Sequence, residues 1–245
     1  MMIWQPYCGP GALPSDFWTQ WNLDPLLLIG LAILTAGLLH LTRSDGRART
    51  LALGAILTLA VGFVSPLCAL SSALFTARTL HHVLLVAVAA PLMACALPAL
   101  RRHIGLARAI GVFGFAILFW AWHTPAGYAL ALSNDAAYWA MQLSLTGTAI
   151  LFWMAVRVSS GPAAVVALLI TMVQTGLLGA LLVFMPAAIY APHRLTTSAW
   201  GLSPLEDQQL AGLIMWAPAA AVYLVAALTI LGRWIGPDRV RMPAA

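Results

Sequence analysis

Four of the six histidines stand where imidazole chemistry could be done: His81, His82, His123 and His193. His81 and His82 follow Arg78 at the start of one apolar run. His123 closes another, inside Trp120-Ala121-Trp122-His123-Thr124-Pro125. His193 lies with Tyr190 between two further runs, and Asp207-Gln208-Gln209 opens the next, with Met215 and Trp216 two turns along. Imidazole and thioether together suit copper, the thioether favouring Cu(I). His82, His123 and His193, with Met185 or Met215, could supply such a ligand set if three of the apolar segments meet, and His81 is a neighbouring candidate. No short spacing motif forces a metal site. The plainer reading gives Met215 a packing role and each histidine a hydrogen-bonded one. Asp207 in a first helical turn is favoured by the helix dipole alone.

Other chemistries have less support. A bis-imidazole haem needs facing histidines at matched depth. A proton or ion pump wants carboxylates in mid-membrane, and no apolar run contains one. No nucleophile–base pair suggests hydrolysis, so an enzyme is the least supported class.

The segments that must position these residues are unusually greasy. The chain has 245 residues, 62% hydrophobic and 8% charged, with mean hydropathy +0.92. A soluble domain is about 25% charged, so lipid is the expected solvent. Backbone groups in lipid must be satisfied internally, and the runs do not alternate, so the expected fold is an all-α polytopic bundle. About seven spans are expected, near Pro25–Leu41, Thr50–Leu70, Leu74–Leu97, Ala109–Ala131, Ala136–Val156, Pro162–Met185 and Gln208–Trp234. The division is an outer segment 1–24, a membrane domain 25–234 and a cytoplasmic tail 235–245. Met1–Asp24 is aromatic and Pro-rich and lacks the pattern of a cleavable signal peptide.

All twelve basic side chains are Arg. With the N-terminus outside, ten fall inside (Arg43, Arg47, Arg49, Arg101, Arg102, Arg108, Arg157, Arg233, Arg239, Arg241) and two outside (Arg78, Arg194). Cytoplasmic loops are the arginine-rich ones. This predicts a bacterial inner-membrane protein with a periplasmic N-terminus, a cytoplasmic C-terminus and its candidate residues on the outer half. The scattered arginines do not suggest nucleic acid.

Local punctuation adds detail. Ser203-Pro204-Leu205-Glu206 reads as a capping box opening the last helix, and Gly161-Pro162 opens the one before. Pro125 is expected to kink the fourth run. Trp120, Trp122, Trp139 and Trp200 fit an aromatic belt. His40 and His103 read as surface residues, and Cys68 and Cys95 as apolar packing. Cys8 is outside, reactive or paired with an unnamed partner.

Three stretches together resemble a known family. They are His82-Val-Leu-Leu-Val-Ala-Val-Ala-Ala-Pro91-Leu, then Trp122-His123-Thr124-Pro125, then Trp200-Gly201 through Asp207-Gln208-Gln209-Leu-Ala-Gly212-Leu-Ile-Met215-Trp216. This pattern resembles the CtaG family of polytopic assembly factors for caa3-type cytochrome c oxidase, over roughly the second helix to the seventh. The resemblance implies a role in maturing a haem–copper oxidase through its copper centres, with oxidase subunits and membrane lipid as partners. A homo-oligomer stays open. Where many members carry histidine, this chain has Arg78, Tyr138 and Gln142. Two rivals remain, a metal-free structural subunit of an energy-transducing complex and a transporter of copper or a small solute. The inner halves offer a transporter little polarity beyond Thr35, Thr171, Gln174 and Thr175.

Overall fold

The computed structural model describes residues 4, 6–98 and 109–236. Arg101, Arg102, His103, Arg108, Arg239, Arg241 and almost all of the 235–245 tail lie outside the described residues. The described chain is all helical, as composition required: α1 (Pro25–Leu41), α2 (Gly46–Phe63), α3 (Leu67–Ala73), α4 (Phe75–Ala96), α5 (Ile110–His123), α6 (Pro125–Ala131), α7 (Asp135–Val158), α8 (Gly161–Phe184) and α9 (Pro204–Ile235). Helices α2, α4, α7, α8 and α9 are long and apolar enough to cross a membrane. The bent pair α5–α6 makes a sixth candidate, and α1 is apolar but shorter, at 17 residues.

Most helices start where the sequence supplies an acceptor for their free N–H groups. Asp24 accepts from Leu26 N, with Pro25 in the first turn, and Asp45 accepts from Arg47 N and Ala48 N. Asn134 accepts from Ala137 N. The Ser203–Glu206 capping box forms in full, with Ser203 N donating to Glu206 at 2.8 Å and Glu206 N to Ser203 at 3.2 Å.

Three expectations need correction. The second helix ends at Phe63, because Ser65-Pro66 interrupts it and α3 starts afresh at Leu67. Pro125 does not kink a continuous helix. The chain bends by 83° at Thr124, whose hydroxyl accepts from Gly127 N, and Pro125 becomes the first residue of α6, where a missing N–H costs nothing. Cys68 is not a packing residue but the partner of Cys8, in a disulfide spanning 60 positions, and Cys95 is exposed. Closing a loop of that length removes chain entropy worth ~4 kcal/mol in the unfolded state. The disulfide pins the N-terminal segment across one end of the bundle, where Trp200 Nε1 also donates to Ala12 O at 3.0 Å. We call this the N-segment end.

Helix α4 is the centre, packed on α2, α3, α7 and α9, while α5 leans on α7 and α1 on α2. It passes through a π-helical turn at Leu84–Ala89. There Ala90 N reaches back to Leu85 O, and the next residue, Pro91, has no N–H for Val86 O. The Trp153 indole supplies the missing donor at 2.9 Å. A second π turn, Met215–Ala219, holds Pro218. Helices α8 and α9 touch backbone to backbone at Gly179 and Gly212, where a Cβ on Gly212 would sit 2.6 Å from Gly179 O.

Gly212→Ala must therefore force the two helices apart, at about 1–3 kcal/mol. Gly147→Ala, whose Cβ meets nothing within 4 Å, provides the control. Melting in detergent is expected to drop by several degrees for Gly212→Ala and to stay near wild type for Gly147→Ala.

Candidate functional site

The N-segment half of α4 carries Arg78, His81 and His82, all buried. Its first turn begins at Phe75 with no cap of its own, since Leu74 offers no side-chain oxygen. The acceptor comes from another helix. Both oxygens of the buried Asp207 carboxylate accept backbone N–H groups, from Phe75 at 2.7 Å and Thr76 at 3.0 Å, and the Thr76 hydroxyl donates to Asp207 O at 2.8 Å. The next two residues of the motif hold α8. Gln208 Oε1 accepts from Ile189 N at 2.8 Å and its Nε2 donates to Leu182 O at 3.3 Å, while Gln209 Nε2 donates to Val183 O at 3.1 Å. Asp207-Gln208-Gln209 is thus a tie that sets α9 against α4 and α8.

Two turns into α4, His82 faces His123 across the interface with α5, ring centroids 5.9 Å apart at 79°. The two rings, with Met215, line a cavity of about 30 Å³ whose other walls include Thr79, Phe119 and Tyr223. His123 Nδ1 lies 2.7 Å from Phe119 O. The carbonyl can only accept, so Nδ1 carries the proton and Nε2 keeps its lone pair. His82 Nε2 is buried without a partner among the described residues. Buried polar atoms are nearly always paired, and an orphan calls for a reason.

The structure does not bring the other two predicted histidines to this cavity. His81 stacks edge-on to Phe63 at 4.9 Å, against α2, with both nitrogens unpartnered. His193 is fully used: Nδ1 donates to Ala73 O at 3.2 Å and Nε2 accepts from the Tyr128 hydroxyl at 2.5 Å. Burial lowers its pKa to about 3, with the Ala73 bond opposing and the Arg78 charge assisting. Met185, at the end of α8, lines no described wall of the cavity. Among the described residues, no group of three or more His, Cys, Asp or Glu side chains is placed to hold a metal ion. Any metal set here is two imidazoles and a thioether.

Arg78 is wholly buried. Its Nε donates to Ser71 O at 3.2 Å and its guanidinium lies 5.3 Å from the Tyr138 ring centroid, but neither terminal nitrogen has a partner among the described residues. Tyr138 and Gln142, one turn apart on α7, are buried too. Arg78, Tyr138 and Gln142, singled out in the sequence only by the resemblance, thus lie beside one another, which spacing alone did not reveal. The four tryptophans expected in a belt are half-buried and partly tied down, as where Trp122 Nε1 donates to Ser144 at 3.0 Å. Trp216 is 43% exposed and meets Phe184 edge-on.

Asp207→Ala leaves two N–H groups at the start of α4 unbonded and should cost on the order of 2–5 kcal/mol, with Asp207→Asn milder because one acceptor remains; thermal melts of the purified variants measure both. For His193, whose pKa falls from an ordinary 6.5 to about 3, the unfolded chain binds a proton between those values that the fold refuses. Stability should therefore be lost as pH falls through that window. His193→Gln is expected to flatten part of the slope of melting temperature against pH between 6.5 and 4.

Comparison with curated proteins and with solved structures finds no match. The family comparison does: residues 32–236, carrying α2 to α9 and with them His82, His123, the Asp207 tie and Met215, match the cytochrome c oxidase caa3 assembly factors (Caa3_CtaG), and the chain belongs to that family.

Proposed function

We propose that this protein serves the assembly of a caa3-type cytochrome c oxidase by holding copper in transit, on the periplasmic side of a bacterial inner membrane. The observation that carries the reading is the cavity shared by His82, His123 and Met215. Its donors are two imidazole nitrogens free of competing bonds and a thioether, a set suited to Cu(I). The Phe119 carbonyl fixes the tautomer of His123, as backbone carbonyls do for metal-ligating histidines. The ring separation of 5.9 Å suits one ion bonded to a nitrogen of each ring at about 2 Å. Copper is cargo in this scheme, and the oxidase subunits are the receiving partners.

Two features support the periplasmic placement. Disulfides persist in oxidising compartments, and Cys8–Cys68 closes the same end of the bundle that carries the histidines. Arg43, Arg47, Arg49, Arg157 and Arg233 lie at the opposite end, as cytoplasmic arginines should. With α1 and the α5–α6 pair each counted as a span, the chain crosses seven times and its termini lie on opposite sides.

The test is copper retention after anaerobic Cu(I) loading of wild type, His82→Ala, His123→Ala and His193→Gln, with assembled oxidase measured in cells carrying each variant. Wild type and His193→Gln are expected to retain about one copper. The two alanine variants should lose at least tenfold in retention and lower assembled oxidase without lowering its transcripts. Folding is checked by the intact disulfide and the melting profile. Copper-free wild type, or folded His82→Ala and His123→Ala that mature oxidase fully, would overturn the copper reading and leave a metal-free partner of the oxidase.

A further inference from the structure

A second cavity lies away from the histidines. It is a groove of about 750 Å³ between α1 and α7, floored by α2 and α4, within the range of small-molecule sites. It opens sideways past Leu26 and Leu143, which are 80% and 66% exposed, onto the face expected to meet lipid. Most of its wall is aliphatic, including Leu31, Leu34, Leu59 and Ile150. Polarity gathers toward one end, at Tyr7, Asp24, Asp135 and Gln142.

Gln142 is the unexplained element. It is 1% exposed and lines the groove, yet among the described residues neither its amide oxygen nor its amide nitrogen has a hydrogen-bond partner. An amide buried this way costs about 1–3 kcal/mol unless something pairs with it. It offers a donor and an acceptor side by side, which a ring hydroxyl satisfies at once and a ring carbonyl satisfies in part. The walls near it are flat: Trp139 stacks on Phe63 at 5.4 Å and meets Tyr7 edge-on at 5.1 Å. Among the described residues no basic side chain lines the groove, while Asp24 and Asp135 do. Asp24 accepts from the Tyr7 hydroxyl at 2.7 Å, which with the Leu26 N–H holds its carboxyl below the usual carboxylate range. Two carboxylates and no cation repel a phosphate headgroup.

We propose that this groove binds a neutral ring-headed amphiphile of the prenyl quinol and quinone class, the ring laid against the Tyr7–Trp139–Phe63 aromatic wall and bonded to Gln142, the tail along the aliphatic trench. The site is separate from the copper cavity.

Gly147 and Gly30 allow a clean test, since both line the groove and a Cβ on either meets nothing within 4 Å. Gly147→Leu therefore fills the groove without pushing on backbone. Gln142→Leu keeps the shape and removes the amide, and should leave the ligand-free protein at least as stable. The probe is a benzoquinone bearing two isoprene units, and separately its reduced quinol, titrated into the protein in phosphatidylcholine nanodiscs with tryptophan quenching as the readout. Wild type is expected to show saturable quenching by both, about tenfold weaker in Gln142→Leu and unsaturable in Gly147→Leu. Diacylglycerol at equal mole fraction should not displace the probe. Unsaturable quenching of wild type overturns the proposal, as do equal affinity in Gln142→Leu and equal displacement by diacylglycerol, which marks a general lipid groove. Copper retention in Gly147→Leu should equal wild type, which keeps this result independent of the copper reading.

Discussion

The bundle depends on one carboxylate bridging two helices. In an apolar surrounding every backbone donor must be satisfied within the protein, and the first N–H groups of a helix have no intrahelical partner. Helix α4 begins inside the bundle, after a single residue that separates it from α3, so water cannot serve those groups. Asp207, fully buried on α9, accepts two of them. The carboxylate also sits at the positive end of the α4 dipole, which favours its charge. Because α4 packs on α2, α3, α7 and α9, fixing its start fixes the depth of Arg78, His81 and His82. The histidine cavity inherits its geometry from that bond.

Around this tie the fold trades regular hydrogen bonds for position. The π turn after His82 ends just ahead of Pro91, and the one beginning at Met215 contains Pro218. Each shifts the residues that follow around the helix axis, and π turns are frequent at functional sites. The carbonyl released at Val86 is recovered by Trp153 rather than left bare. The Gly179–Gly212 contact brings α8 and α9 close enough for Gln208 and Gln209 to reach the end of α8. Small residues at a membrane helix interface allow this close approach.

The polar interior is divided. His193, Tyr128, Asp207 and Gln208 spend their hydrogen bonds on structure. His82, Arg78 and Gln142 keep buried polar atoms free. An unpaired buried group is costly, and a fold that carries several at one end of a bundle holds them where ligands or partners can repay the cost. The two proposals use different members of this second set, His82 for a soft cation and Gln142 for a neutral ring.

What the sequence determined by itself was whatever composition and short-range pattern control. The scarcity of charge required lipid and therefore helices. The capping box at Ser203, the Gly161-Pro162 start and the CtaG-like stretches could be read directly, because each is local in the chain. Tertiary structure decided what depends on distant partners. The Cys8–Cys68 pairing spans 60 positions and no local pattern marks it. Asp207 looked like a residue serving its own helix, and only packing shows that it caps α4, 131 and 132 positions away. The four candidate histidines were visible as residue types, but separating His82 and His123 from the hydrogen-bonded His193 needed the path of each ring. Pro125 shows the same limit: its missing N–H predicts an interruption, while the 83° turn follows from how α5 and α6 each pack against α7.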